Sequence, residues 1–146
     1  MELYSIGFTK KSASEFFSAI SSKKIEMLVD IRLNNKSQLA GFTKGDDLSF
    51  FLGRICNCAY KHCDDFAPTK EILDNYKKKL ISWEDYEKQY RELIAKRNGC
   101  EKFINRFSMY DKVVVLCSEP TANQCHRRLL AEMLCEENPS LTIKHI

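Results

Sequence analysis

Apolar and polar positions along the chain follow two alternating periods. Leu3-Tyr4-Ser5-Ile6-Gly7-Phe8 is a short apolar run of the kind a buried strand shows, and Ser12-Ala13-Ser14-Glu15 behind it has the Ser-x-x-Glu form of a helix capping box. The helix it opens turns Phe16, Phe17 and Ile20 toward the core and closes in the polar run Ser21-Ser22-Lys23-Lys24. Met27-Leu28-Val29-Asp30-Ile31-Arg32 is a second strand whose apolar run ends in charge. A strand, helix, strand unit of this kind predicts a right-handed parallel crossover.

Residues 33 to 45 are polar and irregular, after which Asp46 or Asp47 is placed to cap a helix through Phe50, Phe51 and Ile55, ahead of a strand near Ala59-Tyr60-Lys61-His62. Pro68-Thr69 precedes a helix over Glu71 to Lys79, Ser82-Trp83-Glu84-Asp85 opens a longer one reaching Asn98-Gly99, and Lys102 to Phe107 forms a short third. Lys112-Val113-Val114-Val115-Leu116-Cys117 is a β-branched run expected at the sheet centre. A helix over Thr121 to Glu137 and a closing strand over Leu141 to Ile146 complete the pattern. It predicts an α/β fold: a mostly parallel open sheet of about five strands with helices on both faces, a helical elaboration near residues 69–107, and a single domain over 1–146.

Composition narrows this picture. The 146 residues are 44% hydrophobic and 29% charged, with few Gly and Pro, which excludes disordered and low-complexity classes. The opening Met-Glu-Leu-Tyr lacks the basic and apolar regions of a signal peptide, and no stretch approaches the roughly 20 apolar residues of a membrane span. A cytoplasmic protein with no membrane partner is the expectation. The cysteines number 7, are scattered, and occur without an export signal, so reduced thiols are expected in place of a disulfide framework. The net charge of +3 is mild and concentrates in residues 70–106, where spacings such as Glu84 to Lys88 and Glu92 to Lys96 suit pairs on a solvated helix.

Ligands of open parallel sheets bind beyond the carboxyl ends of the strands. The residues predicted there are Gly7 and Thr9 after the first strand, Asp30 and Arg32 at the second, His62 and Cys63 at the third, and Cys117, Ser118 and Glu119 at the Val113 strand. In Cys117-Ser118-Glu119-Pro120-Thr121-Ala122-Asn123-Gln124-Cys125-His126-Arg127-Arg128, Pro120 suits a helix start and Thr121 with Gln124 forms a second capping box. A helix N-terminus near Cys125, with Arg127 and Arg128 beside it, would lower a thiol pKa or hold a phosphate or carboxylate.

Each candidate has a structural alternative. His126 falls on the stripe of Leu129, Leu130 and Met133, so it is either a core-facing histidine bound to a backbone group or a general base. Cys117 is either an apolar filler or a nucleophile. Asp30 and Glu119 could share proton transfer, or be neutralised by Arg32 and Arg127 in an ion-pair network. Metal binding would combine Cys117, Cys125 and His126, or Cys56, Cys58, His62 and Cys63, but neither group has the paired Cys-x-x-Cys spacing of structural zinc, so no metal ligands are assigned. The absence of either common glycine-rich phosphate loop leaves Rossmann and P-loop nucleotide sites without support and names no cofactor.

Ser5-Ile6-Gly7-Phe8-Thr9, Val29-Asp30-Ile31-Arg32 with Ser37, Leu116-Cys117-Ser118-Glu119 with Cys125-His126-Arg127, and His145-Ile146 together resemble the domain of unknown function 488 family over nearly the whole chain. The resemblance implies a bacterial or archaeal α/β protein and carries family-typical polar positions onto Asp30, Arg32, Ser37, Cys117, Glu119, Cys125, His126 and Arg127, without naming a reaction. Two departures from the family pattern stand out: Phe8 where many members have His, and Asn35-Lys36-Ser37-Gln38 in place of a Pro-x-Ser-Arg element.

The leading expectation is an enzyme or ligand-binding domain that takes an anionic small molecule or a nucleic-acid phosphate. Cys117, Glu119, Cys125, His126 and Asp30 are its candidate catalytic groups, and Arg32, Ser37, Arg127, Gly7 and Thr9 its candidate binding groups. A non-catalytic nucleic-acid-binding module would instead use the basic segment with Tyr76, Trp83, Tyr86 and Tyr90, aromatics that core packing of an amphipathic helix also explains. A redox-responsive thiol protein is the third class, and it requires a specific disulfide between neighbours.

Overall fold

A computed structural model describes residues 1–36, 40–119 and 122–146. Five strands, β1 (Glu2–Gly7), β2 (Met27–Asp30), β3 (Ala59–His62), β4 (Lys112–Cys117) and β5 (Thr142–His145), form one all-parallel sheet in the order β3-β2-β4-β1-β5. The helices are α1 (Ala13–Ser22), α2 (Gly45–Phe51), α3 (Lys70–Lys77), α4 (Trp83–Lys96), α5 (Gly99–Phe107) and α6 (His126–Glu137). The α/β architecture and the helical elaboration between β3 and β4 follow the sequence pattern. No helix among the described residues is long and apolar enough to cross a membrane.

Side chains on successive strand residues point to opposite faces, so β4 feeds two cores at once. Val113, Val115 and Cys117 join Leu3, Met27 and Val29 beneath α4, α5 and α6, where Tyr90, Phe103 and Leu130 are buried. Val114 and Leu116 join Tyr4, Ile6 and Leu28 against Phe16, Phe17 and Ile20 of α1 and against Leu48 of α2. Central placement of β4 follows from this composition: Val113, Val114 and Val115 are fully buried, as a strand covered on both faces requires.

Local signals account for the starts of α1 and α4. Ser12 caps α1 with the reciprocal Glu15 contact, and Ser82 caps α4 in the same way with Asp85. Elsewhere the boundaries move. The helix expected from Thr121 starts at His126, with Cys125 as its N-cap residue, and the Pro120-Thr121 part of the expected capping signal lies outside the described residues. Asp46 and Asp47 occupy the first turn of α2 instead of capping it, and α2 runs on through a π-helical turn over Leu52–Cys56. Asn98 adopts a left-handed conformation that ends the preceding segment and lets α5 begin at Gly99, ahead of the expected Lys102. Among the described residues Glu84–Lys88 and Glu92–Lys96 do not close into ion pairs. Arg91 instead gathers Glu87, Glu132 and Glu136, tying α4 to α6.

Candidate functional site at the carboxyl rim of the sheet

Parallel register brings the strand exits to one line: Gly7 stands opposite Cys117, and Asp30 opposite both Leu116 and His62. At Gly7 a Cβ atom would overlap the carbonyl oxygen of Glu119 and stand 2.9 Å from Arg127 Nη1, so only glycine lets the loop after β4 cross the end of β1 this closely. Thr9 fastens the same loop, its backbone N–H (3.1 Å) and its hydroxyl both donating to Ser118 O. Gly7 and Thr9 therefore shape the rim by holding backbone.

Arg127 is almost fully buried beneath this loop. Its Nη1 donates to Glu119 O at 2.7 Å and to Cys117 Sγ at 3.2 Å, and its Nε to Ser5 Oγ at 3.3 Å, while Ser5 Oγ also pairs with His145 Nδ1. Burial lowers the guanidinium pKa to about 10, with the Glu119 charge opposing the shift. Arg127 thus grips the Glu119 backbone carbonyl, and the Glu119 side chain remains exposed.

The second cluster lies at the exit of β2. Asp30 is fully buried and Arg32 is 5% exposed, and the two form a bidentate pair: Nε to Oδ1 at 2.8 Å and Nη2 to Oδ2 at 2.7 Å. The Arg32 backbone N–H also donates to Oδ1, and the Tyr60 hydroxyl donates to Oδ2 at 2.6 Å while accepting from Asn35 Nδ2. Burial and the adjoining carboxylate raise the Tyr60 pKa, which keeps that hydroxyl protonated. Arg32 Nη2 further donates to Thr43 O at 2.6 Å, and the guanidinium lies 5.3 Å from the centre of the Phe8 ring. One guanidinium nitrogen, Nη1, is buried and has no hydrogen-bond partner among the described residues.

Two imidazoles clamp the backbone leaving β2. His62 Nε2 lies 2.8 Å from Arg32 O, and His126 Nε2 lies 2.8 Å from Ile31 O. A carbonyl only accepts, so Nε2 of His126 carries the proton. Burial lowers the His126 pKa to about 4, leaving the ring neutral near neutral pH. Beside it Cys117 and Cys125 are joined as a disulfide, with Cα atoms 7.5 Å apart. Cys56, Cys58, Cys63, Cys100 and Cys135 are free, and the expectation of reduced thiols is corrected for the Cys117–Cys125 pair, where a strand end and a helix N-cap converge on one point. Among the described residues the metal-capable donors that converge are Cys117, Cys125 and His126, whereas Cys56, Cys58, His62 and Cys63 do not.

Above the clusters lies a cleft of about 900 Å³, between the rim and the helical elaboration. Phe8, Arg32, Ser118, Glu119, Cys125 and His126 line its floor, and Tyr76, Lys77, Lys79, Trp83 and Tyr86 its opposite wall. Trp83 and Tyr86 stack with ring centres 5.0 Å apart, Arg128 lies over Trp83, and Tyr76 donates to Gln124 Oε1. Tyr86 and Tyr90 are buried in the core, in keeping with their amphipathic spacing, whereas Tyr76 and Trp83 remain partly exposed to the cleft.

The rim therefore gathers Asp30 and Arg32 in one cluster and Cys117, Cys125, His126 and Arg127 in another, with the exposed Glu119 lining the cleft. Ser37 lies outside the described residues. Tyr60, Asn35 and Thr43 were not among the candidate site residues expected from the sequence. Their only signal is that a buried carboxylate and guanidinium need further polar partners, which the chain supplies from distant positions.

The sequence pattern of the family described as Domain of unknown function DUF488 matches residues 12–134. No curated protein and no solved structure matches the chain.

Proposed function

The chain belongs to the DUF488 family, and since that family description names no reaction, we propose from the geometry that the rim cleft binds an anion, a nucleotide or nucleic-acid phosphate, through Arg32. The observation that carries this reading is Arg32 Nη1, a buried guanidinium nitrogen without an acceptor among the described residues, on a side chain that lines a large cleft. Leaving such a donor unsatisfied costs about 1–3 kcal/mol, and a phosphate oxygen in the cleft would remove that cost. Asp30 holds the other two nitrogens, so the third is fixed in place before any ligand arrives. Lys77 and Lys79 on the facing wall add positive potential, and the partly exposed Trp83 and Tyr76 offer ring surface to a planar base.

Isothermal titration with inorganic phosphate, nucleoside monophosphates and short oligonucleotides tests this. Arg32→Lys keeps a charge beside Asp30 but cannot also present a third nitrogen to the cleft, and should weaken binding by about tenfold or more. Steep salt dependence with oligonucleotides only would assign the site to nucleic acid. No binding to any of these probes, or equal binding by Arg32→Lys, would overturn the proposal.

A second reading, a redox-responsive thiol protein, is favoured by one observation: the two cysteines that meet, Cys117 and Cys125, do so at the rim, with Cys125 lining the cleft. It predicts that a hydroperoxide closes this pair selectively, two thiols giving up two protons and two electrons as the peroxide becomes alcohol and water. Peptide mapping that finds random disulfides would exclude it.

A further inference from the structure

Three donors at the rim are arranged for a soft cation. The sulfurs of Cys117 and Cys125 and a ring nitrogen of His126 lie within 4.8 Å of one another, and all three residues are buried. We propose that in its dithiol state the protein binds a borderline or soft divalent cation, with Zn(II) as the reference case, through Cys117 Sγ, Cys125 Sγ and His126 Nδ1. This site is independent of the anion reading, because Arg32 is not among its ligands.

Three separate features support it. First, the contact of His126 Nε2 with Ile31 O places the proton on Nε2, which leaves Nδ1 as the lone-pair nitrogen. Histidines that ligate metals are commonly oriented by such a contact from the other ring nitrogen to a carbonyl. Second, the Arg127 Nη1 to Cys117 Sγ contact donates to the sulfur and favours its thiolate, the form a metal binds. Third, the backbones of the two cysteines stand 7.5 Å apart at Cα, wider than the 4.4–6.8 Å a disulfide usually spans. Donor atoms around tetrahedral zinc stand about 3.3–3.8 Å apart, from bonds of about 2.0–2.3 Å, and the reduced sulfurs can spread to that separation from these backbone positions.

Two sulfurs and one imidazole leave a fourth position. Cys125 and His126 line the cleft, so that position opens toward it and is available to water or to an exogenous ligand, the arrangement of zinc sites that act on substrates. Glu119, exposed, also lines the cleft. Binding releases the two thiol protons, and oxidation of the pair to the disulfide removes both sulfur ligands, so occupancy requires the reduced state.

The test is anaerobic titration of the phosphine-reduced full chain with Co(II). A thiolate-to-cobalt charge-transfer band should saturate at one equivalent and disappear on addition of Zn(II). Cys117→Ser and Cys125→Ser should each weaken binding by about a hundredfold, Arg127→Lys by about tenfold, while Cys135→Ser and Arg32→Lys leave it unchanged. Should a serine variant fail to fold, the wild-type chain still decides the matter: Zn(II) should slow alkylation of Cys117 and Cys125, mapped by mass spectrometry, without slowing that of Cys135. Absence of the charge-transfer band in the folded, reduced chain would overturn the proposal. So would equal binding by the oxidised chain, or protection of cysteines other than this pair.

Discussion

Removing the Asp30 carboxylate tests how the rim is held together. Asp30 accepts from Arg32 Nε, Arg32 Nη2, the Arg32 backbone N–H and the Tyr60 hydroxyl, in a site with no solvent exposure. In Asp30→Ala the guanidinium stays buried with Thr43 O as its one acceptor among the described residues, and Tyr60 loses the Asp30 acceptor. Breaking one side of a buried pair costs about 3–5 kcal/mol, a large share of the roughly 5–15 kcal/mol that stabilises a domain. Arg32→Met strands the carboxylate in the same way and should cost about 3 kcal/mol or more. The double variant removes both charges, so its cost should fall below the sum of the single costs by about 2 kcal/mol or more. Urea unfolding followed by circular dichroism reads all three. Costs that add to within about 0.5 kcal/mol would show that the two residues do not act as a unit, and the fixed presentation of Arg32 Nη1 would lose its basis.

Gly7→Ala should cost about 2–3 kcal/mol in urea unfolding, although its φ is not positive, because the new methyl group meets Glu119 O; a change below about 0.5 kcal/mol would contradict the close crossing. Tyr90→Phe should cost about 1–2 kcal/mol, since the buried hydroxyl donates to Phe66 O at 2.7 Å and the carbonyl would be left unpaired; an unchanged midpoint would refute this. Burial pushes the Cys58 thiol to about 12, so the native state keeps a proton that the unfolded chain loses near 9; stability from this group is full below about pH 8 and is lost as pH rises toward 12. The stability advantage of wild type over Cys58→Ala should therefore shrink by about 1.4 kcal/mol between about pH 8 and pH 10, and a constant difference would exclude the shift.

How much of this was legible in the sequence depends on the range of the interactions. The exits of β2 and β4 could be located because a β-branched run such as Lys112–Cys117 needs two covering layers and ends where charge begins. Ser12 and Ser82 mark helix starts because a capping box closes within four residues. For α6 the local signals gave two starts: the helix N-terminus read near Cys125 is the one the structure has, with Cys125 as the N-cap residue beside the end of β4, while the longer helix expected from Thr121 does not form over residues 122–124. The partners of Asp30 and Arg32 lie beyond local rules, since Thr43 and Tyr60 arrive from 11 and 30 residues away. Arg127 shows the same limit: its charge suggested an anion contact, while tertiary packing turns it onto Ser5, Cys117 and the Glu119 carbonyl. Phe8, a departure from the family pattern, lies against Arg32 where a histidine would bring a second polar group.

The most direct measurement of the central claim is an NMR titration of arginine side-chain ¹⁵N signals with a nucleoside monophosphate. Saturable shifts at the Arg32 guanidinium, with slowed exchange at Nη1 and no change at Arg127, are the expected result. Saturation of the protein by the nucleotide while the Arg32 signals stay unmoved would contradict the account.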